Sequence, residues 1–179
     1  MQAFCESRGW LYCFIGGVAL QRWGEPRFTR DADLTLITGV GAEELFVDAL
    51  LTKFEGRIPN TRDFALRHRV LLLRSTSGVG LDVALGALPF EESAARRSSL
   101  FEYPGGLRLR TCSAEDLIVF KAFAARGQDW VDLERILVRQ GSRLDWEYIL
   151  LHLRPLTEIK EAPEILIQLE RLRLRSAVE

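Results

Sequence analysis

The sequence has few of the residues that build disulfide frameworks and zinc sites. Its 179 residues include three cysteines and two histidines, and no Cys-x-x-Cys spacing occurs. An odd number of scattered cysteines argues against a disulfide scaffold and a structural zinc ion, and is typical of a reducing compartment. We therefore expect a cytoplasmic protein.

Long hydrophobic runs and an excess of positive charge are absent as well. No apolar stretch approaches the roughly 18 residues of a membrane-spanning helix. Residues 1–10 also lack the basic start and apolar stretch of a secretory signal. The formal net charge is −1, so no global positive field favours non-specific nucleic-acid binding. These absences predict a protein without membrane association.

Two common phosphate-binding signatures are also missing, although a pair of glycines stands at a suitable place. The chain contains neither Gly-x-x-x-x-Gly-Lys nor Gly-x-Gly-x-x-Gly, so the P-loop and Rossmann folds have no support. Gly16 and Gly17 instead follow the strand-like run LYCFI and precede a helix-like run. Bare backbone at a helix start lets a phosphate reach N–H groups and the positive end of the helix dipole. A simple turn is the alternative for such a pair.

Alternating strand and helix patterns in the first half of the chain give way to nearly continuous helix in the second. The first half predicts strands at 11–15, 32–37, 69–75 and 80–86, helices at 17–23, 42–54 and 90–100, and a hairpin at 100–111. The second half opens with a capping box at Ser113 and predicts further helices at 128–140, 144–153 and, after Pro155, 157–175. We therefore predict an α/β domain over 1–110 and a helical C-terminal domain over 111–179.

Two aspartates lie in the predicted strand DADLTLI. Because alternate residues of a strand share a face, Asp31, Asp33 and Thr35 point one way and the apolar residues between them point into the core. Neighbouring carboxylates repel, and each raises the pKa of the other unless a cation lies between them. Mg²⁺ is the natural cation, since it prefers oxygen ligands. A solvated edge strand whose charges deter aggregation is the alternative.

A third acid has a similar setting in the strand predicted at 80–86. There the apolar residues share the core face, which leaves Asp82 on the other face with Ala84 and Gly86. Small neighbours leave open space above the strand, as a ligand site requires. If this strand neighbours the first one, three carboxylates converge in the layout that holds two metal ions for phosphoryl transfer. The sequence does not establish that adjacency.

Together these residues resemble a known family signature. Ile15-Gly16-Gly17, followed after a gap by Asp31-Ala32-Asp33-Leu34, resembles the motif of the polymerase-β-type nucleotidyltransferase superfamily. RFTRDADL resembles the Arg-x-Thr-x-Asp-x-Asp-Leu of the bacterial AbiEii-like toxin nucleotidyltransferases, and SAEDLIVFKAFAARGQDWVDL resembles their second conserved stretch. The resemblance covers residues 11–135.

The resemblance implies an α/β nucleotidyltransferase fold with a small mixed sheet and helices, followed by a helical C-terminal domain. It also implies transfer of a nucleoside monophosphate from an NTP, with Mg²⁺ or Mn²⁺ as cofactor and pyrophosphate as product. Asp31 and Asp33 would hold the metal ions, with Asp82 as the third acid that activates the acceptor hydroxyl. Gly16 and Gly17 would cradle the triphosphate. Gly17 stands where the family usually has serine, which removes one hydroxyl contact to phosphate.

Three further residues are candidates for binding the nucleotide. Lys121 lies within the apolar stripe of its predicted helix. A buried ammonium needs a partner, and a triphosphate or a structural carboxylate such as Asp33 or Asp132 would serve; snorkelling to solvent is the alternative. Arg27 and Thr29 precede the aspartates and are expected either to contact phosphate or to brace the loop.

We therefore predict a metal-dependent nucleotidyltransferase, with a toxin of a toxin–antitoxin pair as the favoured context and a cognate antitoxin as partner. The acceptor stays open among tRNA or other RNA, protein and a small molecule. Two alternatives remain. One is a catalytically silent nucleotide-binding or partner-binding module with the same fold. The other is an aminoglycoside-type nucleotidyltransferase that modifies a small molecule.

Overall fold

One mixed sheet organises the first part of the chain in a computed structural model that describes residues 1–176. Within these residues its seven strands are β1 (Tyr12–Phe14), β2 (Asp31–Ile37), β3 (Glu55–Gly56), β4 (Val70–Arg74), β5 (Gly80–Gly86), β6 (Ser99–Glu102) and β7 (Arg108–Thr111). Their order across the sheet is β3-β4-β5-β2-β1-β7-β6. β2 pairs with β5 and β1 with β7 in parallel, and the other neighbours are antiparallel. The predicted strands and hairpin are confirmed.

Helices lie in several of the connections between strands and make up most of the described second half. They are α1 (Gln2–Glu6), α2 (Gly16–Trp23), α3 (Glu43–Leu51), α4 (Thr61–His68), α5 (Pro89–Arg97), α6 (Ala114–Ala124), α7 (Gly127–Gln140), α8 (Trp146–Ile159) and α9 (Glu164–Ser176). A mixed sheet flanked by helices and followed by a helical region confirms the predicted fold class. The pattern did not indicate α1, α4 or β3. Across residues 1–176, no helix has the length and apolar content to cross a bilayer.

The chain forms two compact units. The first consists of Met1–Val18 and Phe28–Cys112 and contains the sheet. The second consists of Ala19–Arg27 together with the helical residues from Ser113 onward. The predicted domain limits, 1–110 and 111–179, stay a prediction, and they did not anticipate that most of α2 and the segment after it belong to the second unit.

The core of the first unit follows from the alternation of the central strands. In β2, Leu34 and Leu36 are fully buried, and in β5 Val83 is fully buried with Leu81 and Leu85 nearly so. These side chains join one apolar cluster with the aromatic residues of β1. Burial of one face in this way fixes the strand register, because a slip of one residue would turn the apolar side chains outward.

The predicted helix break at Pro155 is wrong. α8 continues through Pro155 to Ile159. Proline removes one backbone donor, but Pro155 and Leu151 lie on the exposed side of the helix, where water can bind the carbonyl that loses its partner. The helix instead ends where Glu161 adopts a left-handed φ of 55°, and the Ala162 N–H donates to the Thr157 carbonyl at 3.0 Å, as in a Schellman motif.

Candidate active site

Three acidic side chains lie on one face of the sheet in the first unit. Asp33 of β2 is the register partner of Asp82 of β5, and the two strands run parallel, so the two side chains project from the same face. Asp31 lies two residues before Asp33 on that face. The adjacency on which the three-carboxylate site depends is therefore confirmed.

An arginine lies between two of these acids. The Arg57 guanidinium donates through Nη1 to Asp31 Oδ1 at 3.0 Å and through Nη2 to Asp82 Oδ1 at 2.5 Å. All three side chains are partly exposed. Arg57 belongs to the segment between β3 and α4, which carried no motif, and sequence reasoning missed it. No periodicity or spacing in FEGRIPN points to this contact.

The Asp82 carboxyl has an unusual environment. Burial raises its pKa above the ordinary value; the positive charge of Arg57 lowers it, and the negative charge of Asp31 raises it further. The raised pKa shows that desolvation outweighs the arginine. Asp82 therefore combines partial burial with a like charge, as groups of active sites often do.

Gly16 and Gly17 stand so close to neighbouring side chains that neither position has room for a Cβ atom. Gly16 begins α2 with a left-handed φ of 54°, and a Cβ there would collide with the Asp33 carboxylate. A Cβ on Gly17 would come within 2.7 Å of Thr29 Oγ1. That hydroxyl donates to the Asp31 carbonyl at 2.9 Å, so Thr29 braces the start of β2. The glycine pair thus allows the start of α2 to pack closely against Asp33 and Thr29.

A second charged cluster lies inside the second unit. Lys121 is 4% exposed, and its ammonium donates to Asp132 Oδ2 at 2.7 Å and to Asp129 Oδ1 at 3.2 Å. Arg27 donates two hydrogen bonds of 3.0 Å to the Asp132 carboxylate, and Gln128 adds a third at 3.0 Å. Of the alternatives for Lys121, snorkelling is wrong, and a structural partnership with Asp132 is confirmed.

These donors determine the charge of Asp132, whose side chain is fully buried. Burial acts to raise its pKa, but the hydrogen bonds from Arg27, Lys121 and Gln128 prevail and hold the pKa below the ordinary value. Asp132 is therefore a buried carboxylate that stays ionised. The contact of Arg27 with Asp132 agrees with the alternative in which Arg27 braces the loop.

One family model matches most of the sequence. The family model described as "Nucleotidyl transferase AbiEii toxin, Type IV TA system" matches residues 11–154, which is most of the chain. The chain belongs to the AbiEii nucleotidyltransferase family. The match includes the glycine pair, all three acids, Arg57 and the Lys121 cluster. No curated protein gives a significant sequence match to this AbiEii-family chain.

Solved structures with a similar fold have distant sequences. The lincosamide antibiotic adenylyltransferase LnuA, bound to lincomycin, is 12% identical with a TM-score of 0.47, and the match covers 75% of this chain and 90% of LnuA. An antigenic nucleotidyltransferase-like protein from Paracoccidioides brasiliensis is 16% identical with a TM-score of 0.49 over 93% and 87% of the two chains. The antibiotic-resistance factor ANT(2'')-Ia is 20% identical with a TM-score of 0.41 over 97% and 85%.

The acids of the AbiEii-family chain suit a divalent cation in charge and in donor atoms. As the side chains stand, no group of three acids, histidines or cysteines within residues 1–176 is arranged around a metal position. The Arg57 guanidinium, a cation, bridges Asp31 and Asp82. Mg²⁺ prefers carboxylate oxygens as ligands, so the residues present fit the predicted metal in charge and in donor type.

Proposed function

We propose that this nucleotidyltransferase depends on Mg²⁺ or Mn²⁺ and moves a nucleoside monophosphate from an NTP to an acceptor hydroxyl. The observation that carries the proposal is the parallel β2–β5 pairing, which sets Asp33 beside Asp82 on one face with Asp31 next to them. A scaffold without catalysis would have no need for three carboxylates in that position, since neighbouring like charges repel.

We assign the metal ligands to Asp31, Asp33 and Asp82. When bound, the metal ions would neutralise phosphate charge and stabilise the attacking and leaving oxygens of an in-line displacement. Asp82 additionally accepts the proton of the acceptor hydroxyl, so that this oxygen forms the new bond to the α-phosphorus while the bond to pyrophosphate breaks. Proton acceptance by a positioned carboxylate is ordinary general base catalysis.

We assign the nucleotide phosphates to the first turn of α2. Backbone N–H groups at Gly16 and Gly17 begin the helix, where the dipole favours anions. Arg27, Thr29 and Lys121 remain candidate phosphate ligands. Because Arg27 and Lys121 already bind Asp132, any contact that they make with phosphate shares their charge with that acid.

The biological setting follows from the family. A toxin of the AbiEii family is expected to have a cognate antitoxin, and we propose one as the partner of this chain. We also propose a cytoplasmic location, supported by three buried, unoxidised cysteines, Cys5, Cys13 and Cys112. The acceptor is an RNA such as tRNA, a protein, or a small molecule; nothing in the acid cluster selects among them.

Label transfer tests the proposal directly. The protein is incubated with each α-labelled NTP, Mg²⁺ or Mn²⁺, and in turn total RNA, lysate protein and small-molecule acceptors. Metal-dependent label in one acceptor class supports the proposal and names that class. Absence of label with every NTP, although an NTP still binds, would establish the silent-module alternative.

A further inference from the structure

The contact of Arg57 with the acids uses both of its terminal nitrogen atoms. One binds Asp31 and the other binds Asp82, which stand on different strands of the sheet. An arginine fork is planar and permanently charged, so it can join two carboxylates at fixed separation. The side chain is 23% exposed, which leaves it a path away from the acids.

Two further features place Arg57 at this position. Its backbone N–H donates to the Leu72 carbonyl at 2.9 Å, and Leu72 is the register partner of Asp82. β4 therefore lies between the Arg57 backbone and the strand that carries Asp82. At Gly80, a Cβ would collide with both Arg57 Nη1 and Asp31 Oδ1, so the contact exists only because residue 80 has no side chain.

We propose that Arg57 is a positioning residue that holds Asp31 and Asp82 together when no metal is bound, and competes with a divalent cation for them. The inference rests on the proposed function, since it takes these acids as metal ligands. The guanidinium occupies one oxygen of each acid, Asp31 Oδ1 and Asp82 Oδ1, and its positive charge repels an entering metal ion. Arginine does not lose its proton, so the side chain has to move aside as the cation enters.

Mn²⁺ binding, followed by electron paramagnetic resonance, measures this competition without any turnover. In Arg57→Gln the dissociation constant for Mn²⁺ should fall by about tenfold or more, the equivalent of one charge-assisted hydrogen bond. Arg57→Lys, which keeps the charge on a shorter side chain without the planar fork of arginine, should give a smaller fall. A residue that only supported the fold would weaken Mn²⁺ binding when replaced, so the direction of the change is diagnostic.

Arg62 provides the matched control. It bridges two carboxylates, Asp48 and Glu44, at an exposed place outside the acid cluster. Arg62→Gln should leave Mn²⁺ affinity unchanged. Unchanged or weaker Mn²⁺ binding in both Arg57 variants would overturn the competition.

Failure of the proposed function has a different signature. If Asp31→Asn binds Mn²⁺ as tightly as the wild type, Asp31 is not a metal ligand, and both the metal assignment and the competition fall. If Asp31→Asn loses Mn²⁺ but the Arg57 variants behave like the wild type, the metal site stands and only the role of Arg57 is refuted. Circular dichroism verifies that each variant is folded, and Arg57→Lys carries the test alone if Arg57→Gln does not fold.

Discussion

Asp33→Asn tests the acid cluster without replacing either of the acids that Arg57 binds, Asp31 and Asp82. Asp33→Asn keeps the size of the side chain and removes its charge. We expect label transfer to fall by about a hundredfold or more, since a lost ligand costs at least as much as a lost outer-shell partner. Circular dichroism and the melting temperature should stay near wild type.

Asp48→Asn is the matched control for that replacement. Asp48 is an exposed acid that binds Arg62, and its loss should leave transfer unchanged. Transfer near the wild-type rate in Asp33→Asn would remove Asp33 from the site.

Lys121 offers a second test at the scale of one residue. Lys121→Met leaves Asp129 and Asp132 without their ammonium partner, although Arg27 still binds Asp132. Breaking a buried ion pair from one side is strongly destabilising, so we expect the free energy of unfolding to fall by about 3 kcal/mol. Urea denaturation measures it, with the exposed Lys53→Met as control.

The same variant decides whether Lys121 also contacts the nucleotide. Melting curves with and without Mg²⁺ and NTP give the stabilisation that the ligand provides. A smaller ligand-dependent rise in melting temperature than in wild type supports the phosphate contact. An equal rise, together with the loss of stability, assigns Lys121 to the structural cluster alone.

The sequence predicted a site residue where a local pattern or a motif marked it, and failed where the contact depends on the tertiary structure. The alternation of GLDVALG put Asp82 on the polar face, and a motif marked Asp31 and Asp33. Arg57 reaches those acids from a distant segment that has no periodic pattern, and its contact arises only from strand pairing. Contacts that arise only from tertiary structure cannot be inferred from the spacing of residues along the sequence.

At the scale of the element, the end of α8 shows how a proline misleads. Proline is a strong signal for a helix end, yet Pro155 lies inside α8. The real end is a Schellman motif whose left-handed position is occupied by Glu161 rather than glycine. That position has no glycine, and the stop signal that the sequence does carry is Pro163, three residues after the C-cap Lys160.

This helix end makes a prediction about stability. Glu161→Gly relieves the side chain of a left-handed conformation that costs roughly 1–2 kcal/mol, partly offset by the greater freedom of glycine in the unfolded chain. We expect the free energy of unfolding to rise by about 0.5–1 kcal/mol. Glu158→Gly, in the last helical turn and equally exposed, should lower it by about 1 kcal/mol.

Equal effects of the two glycine substitutions would contradict this account of the helix end. Denaturant titration at constant pH compares them, and an unchanged slope with denaturant concentration shows that the unfolded state is comparable.

For the whole molecule, the buried Asp132 couples stability to acid pH. Its folded-state pKa lies below the ordinary value, so its contribution is complete above the unfolded pKa of about 4 and is lost as the pH falls through the folded value. Wild-type protein should therefore lose stability below about pH 4 more steeply than Asp132→Asn. The measurement is the free energy of unfolding from pH 7 to pH 3.

The control for this pH dependence is Asp63→Asn, at an exposed position in the first turn of α4. It should keep the steep wild-type decline. A decline that is equally steep in Asp132→Asn would show that other carboxylates dominate the acid unfolding of the molecule.

Prediction at this scale succeeded for the order of elements, and the predicted domain limits stay a prediction. Periodicity gave the alternating first half and the helical second half, because each element buries one face. The assignment of Ala19–Arg27 to the second unit follows from contacts such as Gln140 with the Trp23 carbonyl, which no local pattern encodes.

The parallel pairing of β2 with β5 also bears on how the chain acquires its structure. These strands are separated in sequence by α3, β3, α4 and β4, so their union closes a long loop and belongs to the slow class of folding events. Asp33 and Asp82 become neighbours on one face of the sheet only when this pairing has formed. The three acids are thus scattered on the nascent chain, and the proposed metal site assembles only when this long-range pairing has formed.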